Sequence, residues 1–279
     1  MRTVVITGGT DGIGRALALS YLERGDRVVI IGRNTEKGNA ALEAAARRGA
    51  AERIEFLPAD LSLVAENRRI LDTLTDSCPV IDLLFLGARY YRSTRALTEE
   101  GFESSFALFY LSRYLLTYGL AENLERADAP AVVDLSGPGG DLSRIHWDDL
   151  QFARSYDPDA VMHQCGKLSD LLAVAFTRDH PSHHIRYILM HPGLTATGFT
   201  GEYSPEDATT VADMRRRGQP VDAAVARIVR HLDDRRTASL SAFMQDTSVD
   251  IESAAFDPRA ARRLADHTRT LLEGAGLQH

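Results

Sequence analysis

Residues 3–14 read Thr3-Val4-Val5-Ile6-Thr7-Gly8-Gly9-Thr10-Asp11-Gly12-Ile13-Gly14. The first five are all β-branched, which suits a buried, extended strand. Glycines stand at 8, 9, 12 and 14, after which Ala16, Leu17, Leu19, Tyr21 and Leu22 fall at helical spacing. A strand, a glycine turn and a helix in that order let the backbone approach a ligand closely. The helix turns unpaired N–H groups and its positive dipole end toward the same point, so the junction suits a pyrophosphate. The expected lining is Gly8, Thr10, Asp11, Gly12, Ile13 and Gly14; a tight turn that binds nothing is the alternative.

Outward from this junction, short apolar or β-branched runs at 27–31, 54–58, 81–86, 131–135, 184–189 and 239–243 alternate with segments of helical periodicity. That alternation specifies a parallel sheet covered by helices on both faces. Right-handed crossovers wind it into a doubly wound α/β fold, here of about seven strands. No repeat, Ser/Pro-rich linker or long charge run marks a boundary, so residues 1–279 are expected to form one domain. Within it, 194–219 is rich in Thr, Gly and charge and is expected to be a substrate lid. Residues 257–273 read as a last amphipathic helix.

The 32 Lys plus Arg against 39 Asp plus Glu give a formal charge of −7, which argues against nucleic acid as a partner. With 44% hydrophobic and 25% charged residues, the composition excludes a disordered chain. No run approaches the roughly 18 apolar residues of a membrane span. The chain enters its first strand without a leader-like segment and has two cysteines, Cys78 and Cys165, so a cytoplasmic setting is expected. His180, His183, His184 and His191 straddle a loop and both ends of a short strand. No Cys or carboxylate completes a ligand spacing, and no metal is expected.

The second run ends Ile30-Ile31-Gly32-Arg33-Asn34. An acidic residue about 20 positions past the glycines would bind the ribose 2′-hydroxyl of NAD. Arg33 stands near that place, and a guanidinium can grip a 2′-phosphate and stack on adenine, so the expected cofactor is NADP(H). A solvated arginine is the alternative; Lys37 and Arg15 are possible second cations.

Further motifs follow. They include Asp60-Leu61-Ser62, Leu86-Gly87-Ala88-Arg89, Thr98-Glu99-Glu100-Gly101-Phe102-Glu103, His191-Pro192-Gly193-Leu194-Thr195-Ala196-Thr197, and the tail from Asp257-Pro258 to Leu264. Together with the glycine turn and Arg33-Asn34, they resemble the short-chain dehydrogenase/reductase family over nearly the whole chain, nearest its retinol-dehydrogenase-like branch. The resemblance implies a Rossmann-like fold. It also implies cofactor contacts from Arg33, Asn34, Asp60, Leu61, Gly87, Pro192, Gly193, Thr195 and Thr197.

The family's catalytic group is Asn, Ser, Tyr and Lys, the last two in YxxxK spacing. The matching segment, His163-Gln164-Cys165-Gly166-Lys167, keeps Lys167 and puts His163 at the tyrosine position. The family serine falls on Gly137, beside Ser136, and the asparagine on Phe109. Residues four apart share a helix face, so His163 and Lys167 point together. Lys167 is expected to hold the nicotinamide ribose, His163 to handle protons and Ser136 to assist; the nearby ammonium disfavours imidazolium. Tyr90, Tyr91 and Tyr156 are further candidates for the missing phenol.

The expected activity is NADP(H)-dependent oxidoreduction of a small, mostly apolar carbonyl, alcohol or conjugated molecule, conjugated acceptors needing least help from an acid, with secondary metabolism as the setting. Two alternatives stay open: a non-redox isomerase, cyclase or dehydratase using His163 as acid/base, and a catalytically silent cofactor-binding protein. The expected partner is a small-molecule substrate, with no membrane. Homodimers or homotetramers are favoured by family habit, through Leu111, Leu115 and Leu116 on one long helix and Leu168, Leu171 and Leu172 on another.

Overall fold

The opening β-branched run is an interior strand, β1 (Thr3–Thr7), with a parallel neighbour on each side. A computed structural model describes residues 1–181, 184–234 and 238–275; His183 lies outside the described residues. From β1 the chain runs through the glycine turn into α1 (Gly12–Glu23), then β2 (Arg27–Gly32), α2 (Thr35–Ala46), β3 (Ile54–Pro58), α3 (Val64–Ser77) and β4 (Leu83–Leu86). A two-residue strand, β5 (Tyr91–Arg92), precedes α4 (Ser104–Phe106), a π-helical turn at Ala107–Leu111, α5 (Ser112–Gly119) and α6 (Ala121–Glu125). Next come β6 (Ala131–Leu135), α7 (Pro158–Asp179), β7 (Arg186–His191), β8 (Gly201–Glu202) and α8 (Pro205–Arg217). The last elements are α9 (Val221–Asp233), β9 (Leu240–Met244), β10 (Thr247–Ser248) and α10 (Pro258–Gly274).

The main sheet is ordered β10-β9-β7-β6-β4-β1-β2-β3, and every pair is parallel except the β9–β10 hairpin. This is the expected doubly wound, Rossmann-like fold, with eight strands where the sequence suggested about seven. The extra strand is two polar residues long, reached through Gln245 at φ 58°. It carries no apolar alternation for a sequence reading to find. Along β1 the period of two sorts side chains between layers. Val4 and Ile6 pack with Leu17, Tyr21, Ile228 and Leu232, while Val5 joins Ile70, Leu115 and Leu171 on the other face. The six leucines considered for an oligomer interface are all buried in that second layer of a single chain. They are core, and they carry no argument for assembly.

Because β2 and β3 lie on one side of β1 and β4 on the other, the chain reverses direction between β1 and β4. A crevice opens there at the strands' C-terminal ends, where folds of this class bind ligands. Segment 194–219 holds β8 and the 13-residue α8, which the sequence reading left irregular. Ser204 caps that helix by accepting from Asp207 N, Pro205 opens it, and Arg215, Arg216 and Arg217 fill the negative end of its dipole. Only Val211 is buried on it, so no apolar stripe announces it. The final helix, α10, begins on an Asp257 cap and docks through a Tyr110 Oη to Thr268 Oγ1 hydrogen bond of 2.6 Å. Among the described residues no helix is long and apolar enough to cross a membrane.

Candidate functional site

The crevice is a cavity of about 620 Å³, within the range of small-molecule and cofactor sites. At its β1–β2–β3 end it is bordered by Gly8, Thr10, Asp11, Gly12, Ile13, Gly14, Arg33, Asn34, Asp60 and Leu61. Gly8 sits at φ +69°, and a Cβ on it would stand 2.7 Å from Gly87 O, so a side chain is excluded there. Gly87 is pinned in turn, its N–H donating to Thr7 Oγ1 at 3.0 Å. Asp11 caps α1 by accepting from Gly12 N at 2.7 Å, and its other oxygen pairs with Lys37. Asn34 caps α2, accepting from Lys37 N at 2.8 Å. The roof descends onto this end, with Thr197 against Gly12 and Gly198 against Asp11.

Arg33 is held from two directions. Its Nη1 reaches Asp60 Oδ2 at 3.3 Å, and its guanidinium lies 4.3 Å from the centre of the Tyr90 ring. Burial works against ionisation of Asp60. Hydrogen bonds from the Ser62 hydroxyl and N–H, with the Arg33 charge, outweigh it and hold the carboxyl below its usual range.

The β4–β6–β7 end is bordered by Gly87, Arg89, Phe109, Arg113, Ser136, Gly137, Met162, Cys165, Gly166, His191, Pro192 and Gly193, with Thr195 and Thr197 in the roof. Arg113 is a buried cation whose Nη1 pairs with Asp134 and meets Ser169 Oγ at 3.0 Å, while Nη2 donates to Leu135 O at 3.1 Å. Burial raises the Asp134 carboxyl, and the Arg113 charge opposes that rise. The Ser136 hydroxyl is buried and has no partner among the described residues. Around the Gly137 Cα there is open space where a side chain would project. His191 accepts from Gly193 N at Nδ1, 3.2 Å, which leaves Nε2 to carry the proton of the neutral ring. Burial, then the Arg89 charge, lowers the His191 pKa. Burial also pushes the Cys165 thiol up.

His163 and Lys167 do share a face of α7, as their spacing requires. Both approach Gly140, whose Cβ position is 3.4 Å from Lys167 Nζ and 3.9 Å from His163 Cε1. That face is not the cavity wall: neither residue is among those lining the cavity, whereas Met162, Cys165 and Gly166 are. Lys167 is 1% exposed, and its Nζ bonds Asp170 Oδ2 at 2.6 Å and Gly137 O at 3.2 Å. Asp170 also accepts from Gly139 N, so this pair anchors the loop that follows β6. Burial, then Arg144 and Lys167, lowers the His163 pKa, and its Nε2 is buried without a partner among the described residues.

Of the candidate phenols, Tyr90 borders the cavity; Tyr91 stacks on Tyr203 at 5.1 Å, and Tyr156 donates to Arg92 O at 3.3 Å. His184 bonds Ala127 O at 2.7 Å and His180 bonds Phe176 O at 3.0 Å. The sequence reading assigned no role to Arg89, Arg113, Met162 or Cys165. Helix α7 is buried almost all round from Gln164 to Phe176, so periodicity had no solvated side by which to tell its faces apart.

Comparison with known proteins gives the same grouping as the fold. The family model described as short chain dehydrogenase matches residues 2–148. A putative daunorubicin C-13 ketoreductase from Streptomyces sp. (strain C5) is 36% identical over 197 residues, 70% of this chain and 67% of that protein. Retinol dehydrogenase 13 from Mus musculus is 28% identical over 202 residues, 70% of this chain and 59% of that protein. The match to the first curated relatives spans about three-fifths of their length. Among solved structures, an NADPH-bound carbonyl reductase from chicken fatty liver superposes with a TM-score of 0.66 at 16% identity, covering 90% of this chain and 98% of that one. The chain belongs to the short-chain dehydrogenase family, with likeness to its retinol dehydrogenases.

Proposed function

We propose that the cavity binds NADP(H) and that the chain is an oxidoreductase acting on a small, mostly apolar carbonyl, alcohol or conjugated substrate. The observation that carries this reading is Arg33, fixed at the end of β2 by Asp60 and Tyr90 where an acidic residue would select NAD. The glycine turn fits the cofactor's pyrophosphate, because Gly8 leaves the backbone bare and α1 presents its N-terminus. Asn34, Asp60 and Leu61 border the adenosine end, and Gly87, Pro192, Gly193, Thr195 and Thr197 the nicotinamide end. When bound, NADP(H) supplies or accepts the hydride.

The chain's own residues provide the rest. His191 Nε2–H is the donor assigned to the substrate oxygen, while the Ser136 hydroxyl, buried in the wall, supports the site from within rather than touching substrate. Lys167 acts as a positioning residue through Gly137 and Asp170 rather than as the ribose contact its spacing suggested. His163 stands behind the wall with it. Residues 194–219 roof the site and exclude water. The similarity to a putative ketoreductase supports carbonyl reduction and a place in secondary metabolism.

A second reading, cofactor binding without turnover, is favoured by one observation: Met162, Cys165 and Gly166 give α7 no proton donor suited to neutral pH on the cavity side. The experiment is a fluorescence titration with NADPH and NADH, followed by absorbance assays on small ketones. Tighter binding of NADPH by about 10- to 100-fold, with ketone-dependent oxidation, is the expected result. Equal affinities remove the role of Arg33, and binding without oxidation selects the second reading.

A further inference from the structure

Four Lys or Arg side chains border the cavity: Arg33, Lys37, Arg89 and Arg113. Three have a carboxylate partner, Asp60, Asp11 and Asp134 respectively. Arg89 has neither a hydrogen bond nor an ion pair to any described residue. Its Cζ lies 5.9 Å from the centre of the Phe199 ring. The side chain is open, but what it opens onto is the cavity. The surrounding protein desolvates the guanidinium enough to lower its pKa, while Tyr203 and Tyr91 oppose the shift. Arginine keeps its charge under such a perturbation. A permanent cation in a partly desolvated pocket, with no counter-charge, is unfavourable until an anion arrives.

Its position decides which anion. Arg89 follows β4 by three residues, on the half of the cavity that holds His191, and its charge lowers the His191 pKa. On the proposed reading of the cavity, the phosphates of a dinucleotide meet the α1 N-terminus and Arg33 at the opposite end. Phe199 in the roof stands beside Arg89, and the cavity lining also includes the apolar side chains of Phe109 and Met162. We propose that Arg89 receives an anionic group of the substrate, so that the substrate is an apolar molecule bearing a carboxylate rather than a neutral ketone or alcohol. This rests on reading the cavity as a joint cofactor and substrate site.

The test uses 2-naphthoate and its neutral counterpart 2-naphthamide as probes, titrated calorimetrically at about pH 8 into wild type and Arg89→Gln, each with and without NADP⁺. The expected result is a preference of wild type for naphthoate of about tenfold or more, absent in Arg89→Gln and partly kept in Arg89→Lys. NADPH affinity is expected to be unchanged in Arg89→Gln. Equal affinity of the two probes, binding of neither, or a preference that survives Arg89→Gln overturns the proposal. So does a loss of NADPH affinity of about tenfold in Arg89→Gln, which would give Arg89 to a cofactor phosphate instead. If wild type binds no NADPH, the cofactor reading falls, and the nucleotide-free probe titrations still decide Arg89. A thermal melt of each variant confirms that it folds.

Discussion

The two ends of the cavity are built on different terms. At the β1–β2–β3 end, polar side chains are satisfied before any ligand arrives: Asp11 caps α1 and pairs with Lys37, and Asp60 takes Ser62 and Arg33. At the β4–β6–β7 end Arg113 is satisfied by Asp134, but among the described residues Ser136 Oγ has no partner and Arg89 no counter-charge, and α7 turns Met162, Cys165 and Gly166 inward. Pre-satisfied groups hold one shape and so suit a fixed ligand part. Unsatisfied groups leave recognition to the molecule that enters.

Four measurements bear on that contrast. The largest effect is expected from Lys167→Met, which breaks a buried ion pair and should lower unfolding stability by about 3–5 kcal/mol in a urea titration. A ribose-gripping lysine would instead show itself mainly as lost NADPH affinity in a protein of near-normal stability. Next is the double variant Met162→Tyr with Gly166→Lys, which puts a YxxxK pair on the face that meets the cavity. A Cβ at Gly166 meets Gly137 O at an ordinary 3.6 Å, so the helix accepts it. Reduction of a small diketone should rise on the order of 10²-fold; no rise would mean that the acid is not what limits this site. Arg33→Ala should weaken NADPH by about tenfold or more and leave NADH nearly unaffected.

The smallest effect concerns pH. The His163 pKa lies below its ordinary 6.5 because burial, Arg144 and Lys167 disfavour the cation. Below that ordinary value the unfolded chain takes a proton that the folded chain refuses. The contribution is therefore complete above it and is lost as pH falls toward the folded pKa. His163→Gln should flatten the decline in melting temperature across that acidic window; an unchanged slope would place the titrating group elsewhere, with His191 the next candidate.

Legibility in the sequence follows the same division. The strand–turn–helix at residues 3–14 announces itself because every residue in it serves local geometry: β-branching for the strand, glycine for the turn, Asp11 for the cap. Arg33 is legible because its place is fixed by the end of β2. Which side of α7 lines the cavity was not, because spacing shows that His163 and Lys167 share a face but not which way α7 is rolled. Arg89 was readable as a residue but not as a cavity cation. Its surroundings come from Phe199, His191 and Tyr203, about a hundred positions away. Helix α8 escaped because capping and end charges, rather than an apolar stripe, define it.

The two-residue pairing of β5 with β8 has a mechanical consequence. Tyr91 N–H donates to Thr200 O at 3.2 Å and Ser93 N–H to Glu202 O at 3.0 Å, so the strand end after β4 is stitched directly to the roof. Raising the roof means unpicking that seam and parting the stacked rings of Tyr91 and Tyr203. The exchange rates of these two amide hydrogens thus form a built-in gauge of how often the cavity opens, readable without a substrate and before any reaction is known.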